Sequence, residues 1–541
     1  MAVLLHGSGL RLTEYLGLHV KDIESARLME HNRKGRRVQV AVFSLTVEPK
    51  LRAQRGRARA IHADDLASGP GRVALPGSLA GTHRHAVREW VWQWLIAFVL
   101  TCGLTAPLSA QTQAPAATVF RNVRIFDGTS GKLSAPSSVL IRGNKIERIS
   151  STPIDTHQLT DAVLIDGGGR TLMPGLIDAH WHAMLVRPSP AAALADDVGY
   201  TTLVAGAEAT DTLMRGFTTV RDVGGPTFGL KRAIDEGIVV GPRIFPSGAV
   251  LTVTGGHGDF RQLFELPRFP DAPPTRMETL GASVLADSPD EVRMRAREQL
   301  MLGASQVKLM AGGGVASPHS PLDVLPFTTP ELRAAVEAAE DRGTYVAAHT
   351  YTPAQIQRAI DAGVRCIEHG QLMDEATAKL MAERGIWLSI QPFPDEAADV
   401  FPRGSEEYTK ARQVIAGTDT AYGLAKKYRI KTAFGTDVLF SQALAQRQGA
   451  LLASLTRWYT PAEALVMATG TNAELLAMSG KRNPYPGKLG VVEEGALADL
   501  LLVDGNPIED ITLIENPAKN FVLIMKDGTI YKNTLASRPS G

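Results

Sequence analysis

Two histidines, His180 and His182, close the run Met173-Pro-Gly-Leu-Ile-Asp-Ala-His-Trp-His182. In an extended strand, residues two apart project from one face, so both imidazoles can converge on one cation. A lone His-x-His pair is usually incidental, but the Pro-Gly-Leu-Ile-Asp run ahead of this one makes it specific. Four more segments repeat the form of an apolar strand running into a turn. They are Val307-Lys-Leu-Met-Ala-Gly-Gly-Gly314, Tyr345-Val-Ala-Ala-His349, Val364-Arg-Cys-Ile-Glu-His-Gly370 and Ile430-Lys-Thr-Ala-Phe-Gly-Thr-Asp437. Each brings a ligand-type side chain near a strand end: Lys308, His349, His369 and Asp437. Singly, His349 or His369 reads as a packed strand histidine and Lys308 as an interior lysine paired to a carboxylate. Jointly, four histidines, a lysine and an aspartate in this order predict a metal-centred enzyme.

The elements that must position these residues follow from the same pattern. Between 173 and 480, strand-like runs alternate with helical ones such as 330–343, which ends on a plausible C-cap glycine. Eight strand candidates start near Leu176, Phe217, Arg243, Ala304, Thr344, Val364, Trp387 and Lys431. All the ligand candidates fall near C-terminal strand ends, where a (β/α)8 barrel builds its chemistry. A 541-residue chain that is 44% hydrophobic can bury such a barrel and more. The alternating runs of 111–172 and 481–541 predict one small β-sandwich domain made by both ends, with the barrel inserted between them. The long Pro-rich connection from Asp259 to Pro274 is expected to be a lid.

The first part of the chain has a different character. Residues 1–110 carry 15 Lys and Arg against 8 Asp and Glu, whereas 111–541 carry 42 against 48. Arg84, His85 and Arg88 precede an apolar stretch, and Ala106-Pro-Leu-Ser-Ala110 supplies a cleavage motif, so 87–110 reads as a secretory signal. A retained anchor is the alternative, but the stretch is short for a bilayer span of about 20 residues. Residues 1–86 then read as a disordered or non-native upstream extension, and the mature chain as periplasmic or secreted. The basic runs Arg33-Lys-Gly-Arg-Arg37 and Arg52 to Arg59 raise nucleic-acid binding as a nonenzymatic alternative. They lack aromatic interleaving, and no nucleic-acid partner is expected for the mature chain. Of two cysteines only Cys366 lies beyond the signal, so no disulfide framework is expected.

Pro-Gly-Leu-Ile-Asp-Ala-His-Trp-His, Gly216-Phe-Thr-Thr-Val-Arg-Asp222, Thr254-Gly-Gly-His-Gly258 and Glu494-Gly-Ala-Leu-Ala-Asp-Leu500 resemble the metal-dependent amidohydrolase superfamily across roughly 117–532. Within it the chain is similar to imidazolonepropionase-related prolidases and ochratoxinase-like enzymes. The resemblance implies two divalent ions, zinc foremost with manganese or cobalt as substitutes. His180, His182 and Asp437 would hold one and His349 and His369 the other, with Lys308 bridging as N6-carboxylysine. Lys308 can ligate only after modification, because an ammonium offers no lone pair while a carbamate offers two oxygens. Asp437 would act as general base and then general acid. His257 and Tyr351 would donate to the developing oxyanion, a contribution of about 3 kcal/mol for one such donor; the alternatives are a loop-stabilising hydrogen bond and a rim hydroxyl. Arg221 reads as a structural partner of Asp222 or as a substrate-carboxylate ligand, and His319 as a pocket-lining residue. The implied reaction is hydrolysis of an amide next to a C-terminal amino acid, in Xaa-Pro dipeptides or N-acyl amino acids. Cyclic amides or lactones are the alternative substrates. A homo-oligomer is implied, an octamer being one form.

Overall fold

The computed structural model describes residues 117–535, except 158, 160, 161, 270, 271 and 318, and the backbone of two earlier strands. The chain divides into two compact units, 1–110 and 111–541. In the first, β1 (Arg27–His31) and β2 (Arg37–Val42) pair antiparallel. The expected signal, its cleavage point and most of the basic extension lie outside the described residues. Among the described residues, no helix is long and apolar enough to cross a membrane.

In the second unit, the two ends of the chain are sewn into one sheet. The leading strands are β3 (Thr118–Ile125), β4 (Ser137–Arg142), β5 (Lys145–Ser150), β6 (Val163–Asp166) and β7 (Thr171–Pro174). Much later in the chain, three strands return to them: Leu500–Val503, Phe521–Lys526 and Thr529–Asn533. Leu500–Val503 pairs antiparallel with β7, Leu172 facing Leu502, so the sheet is closed by residues more than 300 positions apart. Phe521–Lys526 turns into Thr529–Asn533 through Asp527-Gly528, both at positive φ (54° and 73°), the backbone that a two-residue hairpin with the native twist requires. Phe120, Val123, Leu172, Leu500, Leu502 and Leu523 form the buried core on this sheet.

Between these ends runs a series of parallel strands: β8 (Leu176–Trp181), β9 (Phe217–Asp222), β10 (Arg243–Pro246), β11 (Val250–Thr252), β12 (Ser283–Leu285), β13 (Val307–Leu309), β14 (Val346–Thr350), β15 (Cys366–His369), β16 (Trp387–Ile390) and β17 (Thr432–Phe434). β8, β9 and β10 form one parallel sheet, and β12-β11-β13-β14-β15-β16-β17 another. The two meet through backbone bonds at either side: Ser305 N, just ahead of β13, to Pro246 O of β10 at 2.7 Å, and Asp437 N to His180 O at 2.8 Å. Each expected strand start falls within three residues of an observed one. Two features differ from expectation. The strand begun at Arg243 is interrupted at Ser247-Gly248-Ala249, where Gly248 takes φ 75°, and the short β12 is an addition paired to β11. The helix expected at 330–343 spans Thr329–Glu340, started by a Thr328/Glu331 capping box. The expected lid holds one short 3-10 turn, Leu263–Glu265, and leaves Leu263, Phe264 and Phe269 exposed.

One buried ionic contact links the parallel strands to the terminal sheet. Arg243 of β10 donates to Asp499 at 2.9 Å and to Asp527 at 2.6 Å, and its side chain is 7% exposed, Asp499's 4%. Asp499 also receives the backbone N–H of Asp527, at 2.7 Å, so the arginine locks the Asp-Gly hairpin in place. Removing one partner of such a pair strands the other charge away from water. Arg243→Met is therefore expected to lower unfolding free energy by about 3–5 kcal/mol in urea titrations. A loss under about 1 kcal/mol, the scale of an exposed pair, would show that the contact does not staple the two parts.

Candidate metal centre

His180 is the penultimate residue of β8 and His182 directly follows the strand, and their Nε2 atoms each lie 3.3 Å from Asp437 Oδ1. The ligand atoms of these three residues all fall within 4.8 Å of one another, the grouping that a single cation needs. His349 and His369, at the ends of β14 and β15, stand beside them. Their ring centroids are 4.3 Å apart, and His369 is 4.8 Å from His180. All four imidazoles are buried.

What makes these rings ligand-like is the fixed partner of each remaining nitrogen. His180 Nδ1 is 2.8 Å from Glu368 Oε2, and His182 Nδ1 is 2.9 Å from Gly224 O. His349 Nε2 is 2.9 Å from Gly313 O, and His369 Nδ1 is 2.8 Å from Gln391 Oε1. Each partner is an acceptor, so each ring donates there and keeps a lone pair on its other nitrogen. Gln391 Nε2 also lies 3.2 Å from His180 Nδ1, but the shorter contact to an ionised carboxylate decides the tautomer.

Lys308, on β13, is 1% exposed, and among the described residues its amine forms no hydrogen bond or ion pair. Burial pushes it down to about 8, although the carboxylates of Glu368 and Asp437 pull the other way. Burial pushes the Asp437 carboxyl up, but the charge and hydrogen bonds of His180 and His182 prevail and hold it well below its ordinary value. Asp437 and His369 both take positive φ, 52° and 77°. Non-glycine residues hold that conformation only where their surroundings enforce it. For Asp437 the enforcement comes from Asp178, fully buried in the His-x-His run. Its carboxylate accepts from Thr436 N (3.1 Å), Thr436 Oγ1 (2.6 Å), Gln448 Nε2 (2.9 Å) and His180 N (3.1 Å), tying the strand of the histidines to the turn of the aspartate.

His257 and Tyr351 lie against the same group. The His257 ring is 4.4 Å from His349, and Tyr351 is 4.9 Å from His349 and 5.2 Å from His369. His257 Nδ1 meets Ser317 Oγ at 2.7 Å, and burial, aided by Lys308, pushes the imidazole down to about 3. Gly314 is required here, because a Cβ on it would fall 2.0 Å from His257 Nδ1.

Arg221 departs from both of its expected roles. Neighbouring strand residues point to opposite faces, so it does not pair with Asp222, whose carboxylate instead accepts from Ala183 N at 2.7 Å. Its donors are committed to Ala179 O (2.6 Å), Tyr345 Oη (3.1 Å), Cys366 Sγ (3.7 Å), Ser389 Oγ (3.1 Å) and Glu368 (2.7 and 2.9 Å), leaving none for a substrate carboxylate. His319 is exposed on the loop after Gly314 and joins no contact with the cluster. Sequence reading missed Glu368, Gln391, Asp178 and Ser317. Glu368 had a signal in its place beside His369, and Asp178 in its place within the His-x-His run.

Residues 171–533 match the profile of the Amidohydrolase family, and the chain belongs to it. Ochratoxinase of Aspergillus niger is 30% identical over 394 residues, 67% of this chain and 75% of that one. The crystal structure of a prolidase complexed with N-methylphosphonate-L-proline is 35% identical, with a TM-score of 0.70 over 77% of this chain and 100% of that one. With these relatives, the chain is a hydrolase acting on amide bonds. Separately, an integrase/recombinase of Escherichia coli is 36% identical over 98 residues, 18% of this chain and 29% of that protein.

If Gln391 orients His369 for a cation, Gln391→Leu should weaken zinc affinity about 10–100-fold in chelator competition. Unchanged affinity would remove the glutamine from the site's support.

Proposed function

We propose that the protein is an exported binuclear metal hydrolase that cleaves the amide bond next to a C-terminal amino acid. Its substrates are Xaa-Pro dipeptides or N-acyl amino acids, including N-acyl phenylalanines of the ochratoxin kind. The observation that carries this reading is the set of four buried histidines, each with one nitrogen anchored to an acceptor, around Asp437. The architecture we read is a (β/α)8 barrel inserted in a terminal β-sandwich. The parallel strand series and the backbone bond from Asp437 to His180 support that closure.

The donor chemistry fits two ions, zinc foremost, since imidazole and carboxylate suit it. His180, His182 and Asp437 hold one. His349 and His369 would contribute two ligand atoms to the second, and Lys308 as N6-carboxylysine would complete that position. A neutral amine is the form that adds carbon dioxide: the Nζ–C bond forms, a proton leaves, and an anionic carbamate with two oxygens results. Burial of Lys308, which favours the neutral amine, supports this. Ions held there would polarise the scissile carbonyl and acidify water.

The protein's own groups do the rest. Asp437 takes the proton of the attacking water and delivers it to the departing nitrogen. Ser317 Oγ accepts from Gly258 N at 3.3 Å and gives its own proton to His257 Nδ1. In the tautomer that receives the Ser317 proton on Nδ1, the imidazole proton sits on Nε2, and a neutral His257 donates it, with the Tyr351 hydroxyl, toward the oxyanion.

Metal analysis combined with a screen of dipeptides and N-acyl amino acids tests the reading. Wild type should carry about two ions per chain and hydrolyse part of the panel, and Lys308→Ala should lose metal and turnover. Asp437→Asn should retain metal while kcat falls by about 10²–10⁴. A wild-type protein with neither metal nor hydrolysis would reject the proposal, and an active Asp437→Asn enzyme would reject the proton-transfer assignment. For export, N-terminal sequencing of the natively produced protein should start at Gln111; a chain retaining Met1 would exclude cleavage.

A further inference from the structure

An amide next to a C-terminal residue presents a carboxylate a few bonds from the scissile carbonyl. With Arg221 fully committed to Glu368 and its neighbours, that anion needs another cation. Among the described residues, the charges of two amines, Lys308 and Lys410, bear on His257, and Lys308 lies among the ligand candidates. Lys410 sits in the first turns of the helix Glu406–Tyr428, and its side chain is 6% exposed. Its Nζ donates to Ser317 O at 2.8 Å, the backbone of the residue whose hydroxyl holds His257. Among the described residues its one carboxylate neighbour, Glu406, is 3.5 Å away and 59% exposed, too far and too wet for a strong bond. An ammonium has three donors, so at least one remains for a ligand.

The surroundings of Lys410 suit the rest of such a substrate. One turn further along the same helix face, Val414 packs with Tyr351 and Leu322, and Val315, Leu372 and Phe393 border this cluster. This apolar patch thus includes Tyr351, whose ring lies 4.9 Å from His349, and stands one helical turn from Lys410. We propose that Lys410 binds the C-terminal carboxylate of the substrate while the patch around Val414 takes that residue's side chain. Lys410 thereby selects free acids over their amides and esters. This rests on the amide-hydrolase reading above and adds a specificity-determining residue to it.

The test compares N-acetyl-L-phenylalanine and N-acetyl-L-proline with their C-terminal amides, in wild type, Lys410→Met and Lys410→Arg, all metal-loaded. Wild type should favour the acids. In Lys410→Met the acid-to-amide ratio of kcat/KM should fall about 100-fold, chiefly through KM, with Lys410→Arg restoring part of it. Calorimetry with free L-phenylalanine and L-phenylalaninamide should show the same lost preference in binding. Lys410→Met also loses the bond to Ser317, so thermal melts and metal content are measured alongside. Equal losses on acid and amide, in kcat and in melting temperature, would assign Lys410 a purely structural role and overturn the proposal, as would an unchanged ratio. A wild type inactive on acids and amides alike defeats the amide-hydrolase reading itself, whereas an active wild type with an unaltered ratio in Lys410→Met defeats this inference alone.

Discussion

The ion pair between Arg221 and Glu368 is the interaction on which the site depends. Both side chains are wholly buried, and burial alone would push the Glu368 carboxyl up; the arginine beside it holds it well below its ordinary value. Through that one guanidinium, Ala179 of β8, Tyr345 ahead of β14, Glu368 of β15 and Ser389 of β16 are bound to β9. The ionised Glu368 in turn accepts from His180 Nδ1, which leaves the lone pair of Nε2 facing Asp437. A buried pair of this kind contributes little net stability by itself, because desolvation offsets the attraction. Its effect is geometric: it selects one tautomer and one ring orientation for the histidine that begins the centre.

Strain and its compensation follow the same logic. His369 and Asp437 each hold a conformation that costs roughly 1–3 kcal/mol for a residue with a Cβ. The return in the first case is directional. In a regular strand Glu368 and His369 would face opposite sides, but the positive φ at His369 turns its ring inward, so glutamate and histidine serve one interior. In the second, the four hydrogen bonds to Asp178 leave the Thr436-Asp437 turn little freedom to relax. Gly435 completes the arrangement, since a Cβ there would meet the backbone N of His180 at 2.6 Å.

These features explain what was legible in the sequence. Five of the six ligand candidates stand at the end of an apolar run and Lys308 within one, and the strand starts could be read because such runs are bounded by turn residues. The roles of Arg221 and Glu368 were hidden because both depend on register between strands far apart in the chain, which no local period encodes. Adjacency suggested an Arg221–Asp222 pair, and strand alternation forbids it. The break between β10 and β11 did carry a signal, the turn residues Pro246-Ser247-Gly248 with Gly248 at φ 75°, which the reading of one continuous strand passed over. Gln391 and Lys410 gave no motif at all, since each acts on a residue held by another element.

The tautomers carry one further consequence. With Nδ1 protons committed to Glu368 and Gly224, the Nε2 atoms of His180 and His182 present lone pairs, and Asp437 presents a carboxylate to the same point. Three electron-pair donors converging in a buried space repel one another unless something positive stands between them. A proton is the poorer solution. Burial pushes His182 down, and its rise above the ordinary imidazole value comes from Asp437, so the charge is accepted only against the cost of desolvation. A divalent cation would satisfy all three donors at once and take the place of that proton. Folding has thus assembled a centre whose electrostatic deficit is specific, and filling it adds to the stability of the native state by the ligand's own binding free energy. The network of Arg221, Glu368 and Asp178 keeps the three donors converged despite that repulsion, which is why its charges are buried so deeply.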